Sequence, residues 1–363
     1  MTRQPPNDAL VSLANIDALL APSPSRWRMA MPGFDPEFFD IADYIVRITD
    51  RIWHERKIDL CRDYYTEDCV IHTLAGDVIG AAAVEANTHA TLKSFPDRTL
   101  DPDNVIWSAE DGDAFYTSHL ITSRMTNLGP TEYGPATGIR ARIRTIADCL
   151  CRDNRIEREW LVRDNAALVM QLGFDLAGTA SRSARQDADA GLNLTTHFSA
   201  LADAMHPLAP SHEGKALPAP EQEPAAFANA LFARLWNGKD LSALDEAFDF
   251  RVGAHLPAMR ELYGVLEYRE FMQALFQAIP GFVAQVDHVA SIPYLGGARD
   301  IAVRWSLSGV HRGDGLFGPA CDARIYLFGV SHWRVANGRI REEWMVFDEL
   351  ALLRQIEGVR LRR

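Results

Sequence analysis

The chain has no run approaching 18 consecutive apolar residues, so no helix of it is expected to span a membrane. Its first residues, MTRQPPNDALVSLANIDALLAP, hold prolines and acids where a secretory signal needs an unbroken apolar segment, which argues against export. Basic charge is in deficit: 37 Lys and Arg stand against 49 Asp and Glu, a formal net charge of −12. A partner surface for nucleic acid or an anionic membrane would need the opposite sign. Cysteine is scarce and odd in number, five in 363 residues, which suits reduced thiols in a cytoplasm better than a disulfide framework. Cys149-Leu150-Cys151 has no second cysteine or histidine pair at ligand spacing, so no metal is expected. Phosphate-cradling glycine loops are missing, and so is a G-x-S-x-G nucleophile elbow. What these absences leave is acid–base chemistry without a cofactor, or no chemistry.

What is present is a repeat. RIEREWLVRDNAALVMQLG at 155–173 and RIREEWMVFDELALLRQIEG at 339–358 are two versions of one segment, offset by 184 residues from Arg155 to Arg339. The offset also relates Glu159 to Glu343, Trp160 to Trp344, Asp164 to Asp348, Gly80 to Gly264, Pro96 to Pro280 and Arg140 to Arg324. With a slip of one residue, Trp53 meets Trp236 and His72 meets His255. A register kept over so long a stretch reads as a tandem duplication. The expected organisation is an arm at 1–34, one domain at 35–175, an Ala/Ser/Pro-rich linker at 176–223 with a short helix near Leu194–Ala204, and a second domain at 224–358.

Each copy predicts the same order of elements. Asp35-Pro36-Glu37 reads as a helix start, and IADYIVRITDRIW keeps apolar residues at helical spacing. In the second copy FANALFARLW does the same and stops at Asn237-Gly238. A short helix, a strand, a turn glycine and a third helix follow. After that only strand patterns appear, with Asp153-Asn154 and Asn337-Gly338 at hairpin turns. Helices first and an antiparallel meander afterwards makes the fold class α+β.

That order resembles the cone-shaped fold of nuclear transport factor 2 and ketosteroid isomerase. The motifs are more similar to SnoaL-like proteins, the polyketide-cyclase and ester-cyclase branch. They are Trp53/Trp236 at the end of the first helix, His72/His255 on the first strand, Arg304-Trp305…Val310-His311, Gly134-Pro135-Ala136-Thr137-Gly138, and the ending Asn337-Gly338-Arg339-Ile340…Asp348…Gln355. The second copy departs from the pattern at Gly318-Pro319-Ala320-Cys321-Asp322, which lacks the second glycine of that loop; the first copy departs at Cys149 and Asn154. The resemblance implies two tandem cones, packed as a pseudo-dimer and open to further homo-oligomerisation, at least one enclosing an apolar pocket for a small hydrophobic or polyketide-like molecule. It also implies aldol-type cyclisation or isomerisation, with an Asp near the end of the last strand as acid and base.

Strict alternation along the last strand places Ile156, Trp160, Val162 and Asp164 on one face, and likewise Ile340, Trp344, Val346 and Asp348. Asp348 with His332 is the leading acid–base pair, and Asp164 with Asp148 its counterpart. His72, Trp160, His255, Trp305 and Trp344 are candidate pocket walls, with His119 and His311 ranked below them. Asp164 and Asp348 have a second reading as N-caps of the helices that follow them. Two rival functions stand beside this one. The first is a non-catalytic ligand-binding or scaffold protein; the second is an epoxide-hydrolase-like enzyme using Asp148, Arg140 and Asp164.

Overall fold

The structure is a computed structural model and describes residues 28–205 and 216–362. Most of the expected arm, and the middle of the expected linker, lie outside the described residues.

The first helix, α1 (Ile41–Trp53), starts later than Asp35-Pro36 suggests. Asp40 is the N-cap: its Oδ1 accepts from the Asp43 amide at 2.7 Å, and Asp43 Oδ2 accepts from the Phe39 amide at 2.9 Å. That reciprocal arrangement satisfies two orphan donors at once and outcompetes the earlier start. A single 3-10 turn and the short α2 (Cys61–Tyr64) lead into β1 (Tyr65–Thr73) and β2 (Gly76–Ile79). Gly80 then starts α3 (Ala81–Ser94) at φ +84°, where a Cβ would meet the Glu67 carbonyl oxygen at 2.5 Å, so the position accepts little but glycine.

Strands β3 (Thr99–Ala109), β4 (Phe115–Thr126), β5 (Arg140–Arg152) and β6 (Arg155–Arg163) complete a six-stranded sheet in the order β2-β1-β6-β5-β4-β3. The expected meander is present in β3 to β6, but β1 pairs with β6 in parallel, so the sheet is mixed. Positive φ at Asp153 and Asn154, +47° and +66°, makes the tight β5–β6 turn that the sequence suggested. Sheet and helices α1 and α3 form a curved, open cone.

The second cone repeats the plan: α8 (Pro224–Leu231), which closes in a wider π-type turn over Phe232–Asn237, α9 (Ser242–Ala247), β7 (Phe248–Leu256), β8 (Arg260–Tyr263), α10 (Val265–Ala278), β9 (Val283–Pro293), β10 (Arg299–His311), β11 (Ala323–Ala336), β12 (Arg339–Phe347) and α11 (Glu349–Arg360). Its sheet runs β8-β7-β12-β11-β10-β9. Between the sheets the chain is far from structureless. It forms α4 (Asn165–Gln171), α5 (Leu176–Asp189), α6 (Leu194–His197) and α7 (Ser199–Ala204). By their contacts α4 and α5 belong to the compact unit of the second sheet, which takes up the chain from Asp164. Asp187 of α5 takes a two-pronged bond from Arg354 of α11 at 3.1 and 2.7 Å, which explains why a polar, alanine-rich segment is held as helix.

The interiors of the two cones differ. In the second, Trp305 is 1% exposed and its indole packs at an angle against Trp236 (5.1 Å between centroids), Phe232 (6.4 Å) and Phe347 (6.1 Å). Trp305 lies against Gly329 of the next strand, where a Cβ would fall 2.5 Å from the indole. The repeat places Ile121 and Thr145 at these positions in the first cone. Replacing Gly329 with Ala is expected to overpack the second cone and cost about 1–3 kcal/mol, measured by denaturant unfolding; an unchanged stability would show that Trp305 does not seal this interior.

Candidate functional site

The first cone encloses a cavity of about 310 Å³ between α1, α3 and the inner face of the sheet, within the range of small-molecule sites. Ile45, Ile48, Ile52 and Trp53 of α1 and Val84 and Thr88 of α3 form one wall. The sheet supplies the other in parallel rows set by strand register. One row holds Cys149, Glu159 and Ile71; the next His119, Ala147 and Leu161; the next Ile121, Thr145 and Arg163.

A β-bulge decides which residues of β6 point inward. Leu150 pairs with Arg158 but Cys151 pairs with Ile156, so Glu157 is an extra residue in the strand. Alternation is broken there, and Ile156 shares its face with Glu159, Leu161 and Arg163. Trp160 and Val162 therefore do not share the inward face with Ile156, contrary to the expectation from unbroken alternation. The same extra residue, Arg341, sits in β12, and it pairs Glu343 across the sheet with Trp333.

The predicted site residues are placed accordingly. Asp164 and Asp348 are both N-caps: Oδ1 of each accepts from the amide three residues on, Ala167 or Ala351, at 3.0 Å. Asp164 Oδ1 also accepts from the Ala258 amide at 3.0 Å, and Asp348 Oδ2 from Asn165 Nδ2 at 2.6 Å. Burial holds Asp164 up at about 6, partly offset by its two backbone donors, but it does not line the cavity. Asp148 lies between the cavity-lining Ala147 and Cys149 and so faces away, bonded by Ser118 Oγ at 2.5 Å and by the Tyr116 hydroxyl. His332, register partner of Trp344, is buried on the corresponding face of the second sheet. His72 contacts Trp160 at 5.5 Å and Asp77 at 3.0 Å; His255 stacks on Trp344 at 5.6 Å and meets Glu261 and Glu342. The structure thus brings each His–Trp pair together, but outside the cavity. Trp305 fills the second cone, and Arg140 is exposed, so Asp148, Arg140 and Asp164 do not meet in the pocket.

The groups that do face the cavity are others. Glu159 is 5% exposed, and burial pushes its carboxyl up to about 7 against the opposing pull of Arg163 and a hydrogen bond from Tyr65. His119 is 1% exposed, its Nε2 has no hydrogen-bond partner, and burial lowers it to about 3, so it is neutral across the working range. The cavity thiols Cys61 and Cys149 are pushed upward by burial and remain protonated, which removes them as nucleophiles. All five cysteines are free and buried. Among the described residues no group of three or more His, Cys, Asp or Glu could hold a metal. One signal for Glu159 was legible: the repeat places an acid at the same position in both copies.

A carboxyl held above its unfolded value is stabilising in its protonated form, so its contribution is complete below about 4.5 and lost as pH rises toward about 7. Glu159→Gln is expected to remove that decline and to raise stability at pH 8 by up to about 3 kcal/mol. Thermal unfolding of wild type and variant from pH 4 to pH 8 tests this; parallel curves would overturn the assignment of a buried, protonatable Glu159. Asp164→Ala and Asp348→Ala should each cost roughly 1 kcal/mol through loss of a cap, read as a lower unfolding midpoint.

The family model for SnoaL-like polyketide cyclase matches residues 43–172 and 226–356, both copies and more than half of the chain. Among solved structures, one described as a SnoaL-like polyketide cyclase from Jannaschia sp. CCS1 is 20% identical, with a TM-score of 0.32, covering 35% of this chain and 87% of its own. AclR from Streptomyces galilaeus, described as a hydroxylase, is 18% identical with a TM-score of 0.31, over 36% of this chain and 92% of its own. IdmH from Streptomyces antibioticus, described as a polyketide cyclase, is 20% identical with a TM-score of 0.31, over 35% of this chain and 94% of its own. No curated protein matches the chain. Two matched segments and two sheets of one topology make the chain a tandem member of the SnoaL-like polyketide cyclase family.

Proposed function

We propose that the first cone binds a small hydrophobic carbonyl compound and moves a proton on it, with Glu159 as the acid–base group. The observation that carries this is a carboxyl poised at about 7 in the wall of an apolar cavity, where its two protonation states are nearly balanced at neutral pH. In this reading the Glu159 carboxylate takes a proton from carbon next to a carbonyl. It then returns it, to a second carbon in an isomerisation or to the alkoxide formed in an aldol closure. His119, neutral and with Nε2 unpartnered, donates from Nε2–H to the carbonyl oxygen as negative charge develops there. Tyr65 donates to the carboxylate and fixes its orientation.

The second cone is read as a scaffold. Its equivalent acid, Glu343, accepts from Trp333 Nε1 at 2.8 Å and from the hydroxyl of the buried Tyr268. In this reading the acid–base role assigned from the sequence to the aspartates at the strand ends passes to a glutamate five residues earlier in the chain, within β6. The five buried free thiols support a reducing compartment such as the cytoplasm.

The test is deuterium exchange at the α-carbon of an aryl β-keto ester in D2O, followed by NMR. Wild type should accelerate the exchange, with a rate that rises through a pH near 7. Glu159→Gln should lose a hundredfold or more, whereas Asp348→Asn should retain the wild-type rate. Equal rates for wild type and Glu159→Gln would overturn the reading.

A further inference from the structure

Two arginines line the same cavity, and among the described residues neither is hydrogen-bonded to a carboxylate, Glu159 acting on Arg163 only through space. Arg98 is 5% exposed; its Nε donates to Ser123 Oγ at 2.8 Å, and its guanidinium lies 4.9 Å from the centroid of the Trp53 ring. Among the described residues no carboxylate pairs with it. Arg163, at the inward end of β6, has a buried Nε without a hydrogen-bond partner. Burial first and the neighbouring positive charge of Arg163 second lower Arg98 to about 9, so Arg98 remains charged at neutral pH. A buried, unpaired guanidinium is costly, and a second cation beside it adds to that cost.

The repeat shows that this arrangement goes with the cavity. Positions equivalent to Arg98 and Arg163 are Phe282 and Phe347, both buried in the filled second cone, and the counterpart of His119 is Val303. Glu159 keeps its counterpart, Glu343. So the acid occurs with and without a cavity, whereas the two arginines occur only where there is space for a ligand.

We propose that Arg98 and Arg163 form an anion seat at one end of the first cone's cavity, and that the natural ligand carries a carboxylate held there while its reactive carbon lies toward Glu159. Guanidinium groups match a planar carboxylate with paired N–H donors, and Trp53 and Ser123 hold one of the two in place. Arg163 and Glu159 are four positions apart on β6, about 13 Å between their Cα atoms. The ligand class is therefore an apolar acid whose carboxylate and enolisable carbon are separated by several bonds, not a β-keto acid with both on adjacent atoms. This rests on the acid–base reading only for where the reactive carbon lies; the anion seat stands on the arginines.

The experiment is calorimetric titration of the full chain with 4-(2-naphthyl)butanoate and with its primary amide, which has the same shape and no charge. Wild type should bind the carboxylate at least tenfold more tightly. Arg98→Gln and Arg163→Gln should each reduce carboxylate affinity tenfold or more and bring it to the level of the amide, and Arg98→Lys should recover part of the preference. Circular dichroism of each variant checks that it folds. Equal binding of acid and amide by wild type, or a preference that survives in both folded Gln variants, would overturn the proposal. The two readings fail separately. No carboxylate preference in a protein that still exchanges the keto ester's proton defeats the anion seat alone. A carboxylate preference with exchange indifferent to Glu159→Gln defeats the acid–base reading alone.

Discussion

The inward face of β6 is fixed by one unpaired residue, Glu157, which lets two residues of this strand oppose one of β5 and so exchanges the sides that all later residues face. Without that bulge, Trp160 and Asp164 would project into the cone and Glu159 and Arg163 would face out. With it, a carboxyl and a guanidinium are carried into the cavity, where burial raises the proton affinity of the one and leaves Nε of the other without a hydrogen-bond partner. The two charged groups that β6 contributes to the cavity follow from that displacement by one residue.

Two copies of one plan have been put to different uses by changes in side-chain volume. Where the first cone has Ile121 and Thr145, the second has Trp305 and Gly329, a large and a small residue that fit each other across adjacent strands. The exchange closes the interior without altering strand register, which is the same in both sheets down to the bulge at Arg341. Close packing makes the outcome all-or-none: a space is either filled by rings or large enough for a ligand. The aromatic cluster of Phe232, Trp236, Trp305 and Phe347 thus gives the second unit stability and removes its site.

The aspartates at the strand ends show how one residue type can serve two roles that look alike in a sequence. Asp164 and Asp348 stand where a strand becomes a helix, and the free amides of the helix's first turn are the nearest strong donors. Each carboxylate is taken by those amides and by one further donor, Ala258 or Asn165. Glu159 has no such amides nearby, because it lies within a strand whose amides are used in the ladder. It is left with Tyr65 and the cavity.

By itself the sequence determined the α+β class, the duplication, the hairpin turns at Asp153-Asn154 and Asn337-Gly338, and the family, because these depend on local spacing and on comparison of the chain with itself. It named His72, Trp160, His255 and Trp344 as pocket walls, but not that each His lies against its Trp. Only the tertiary structure decided which residues of β6 turn inward, and that Arg98, far from Arg163 in the chain, lines the same cavity. A bulge has no composition of its own, and whether a cavity exists depends on volumes contributed by six strands and three helices at once; neither can be read from a period of two.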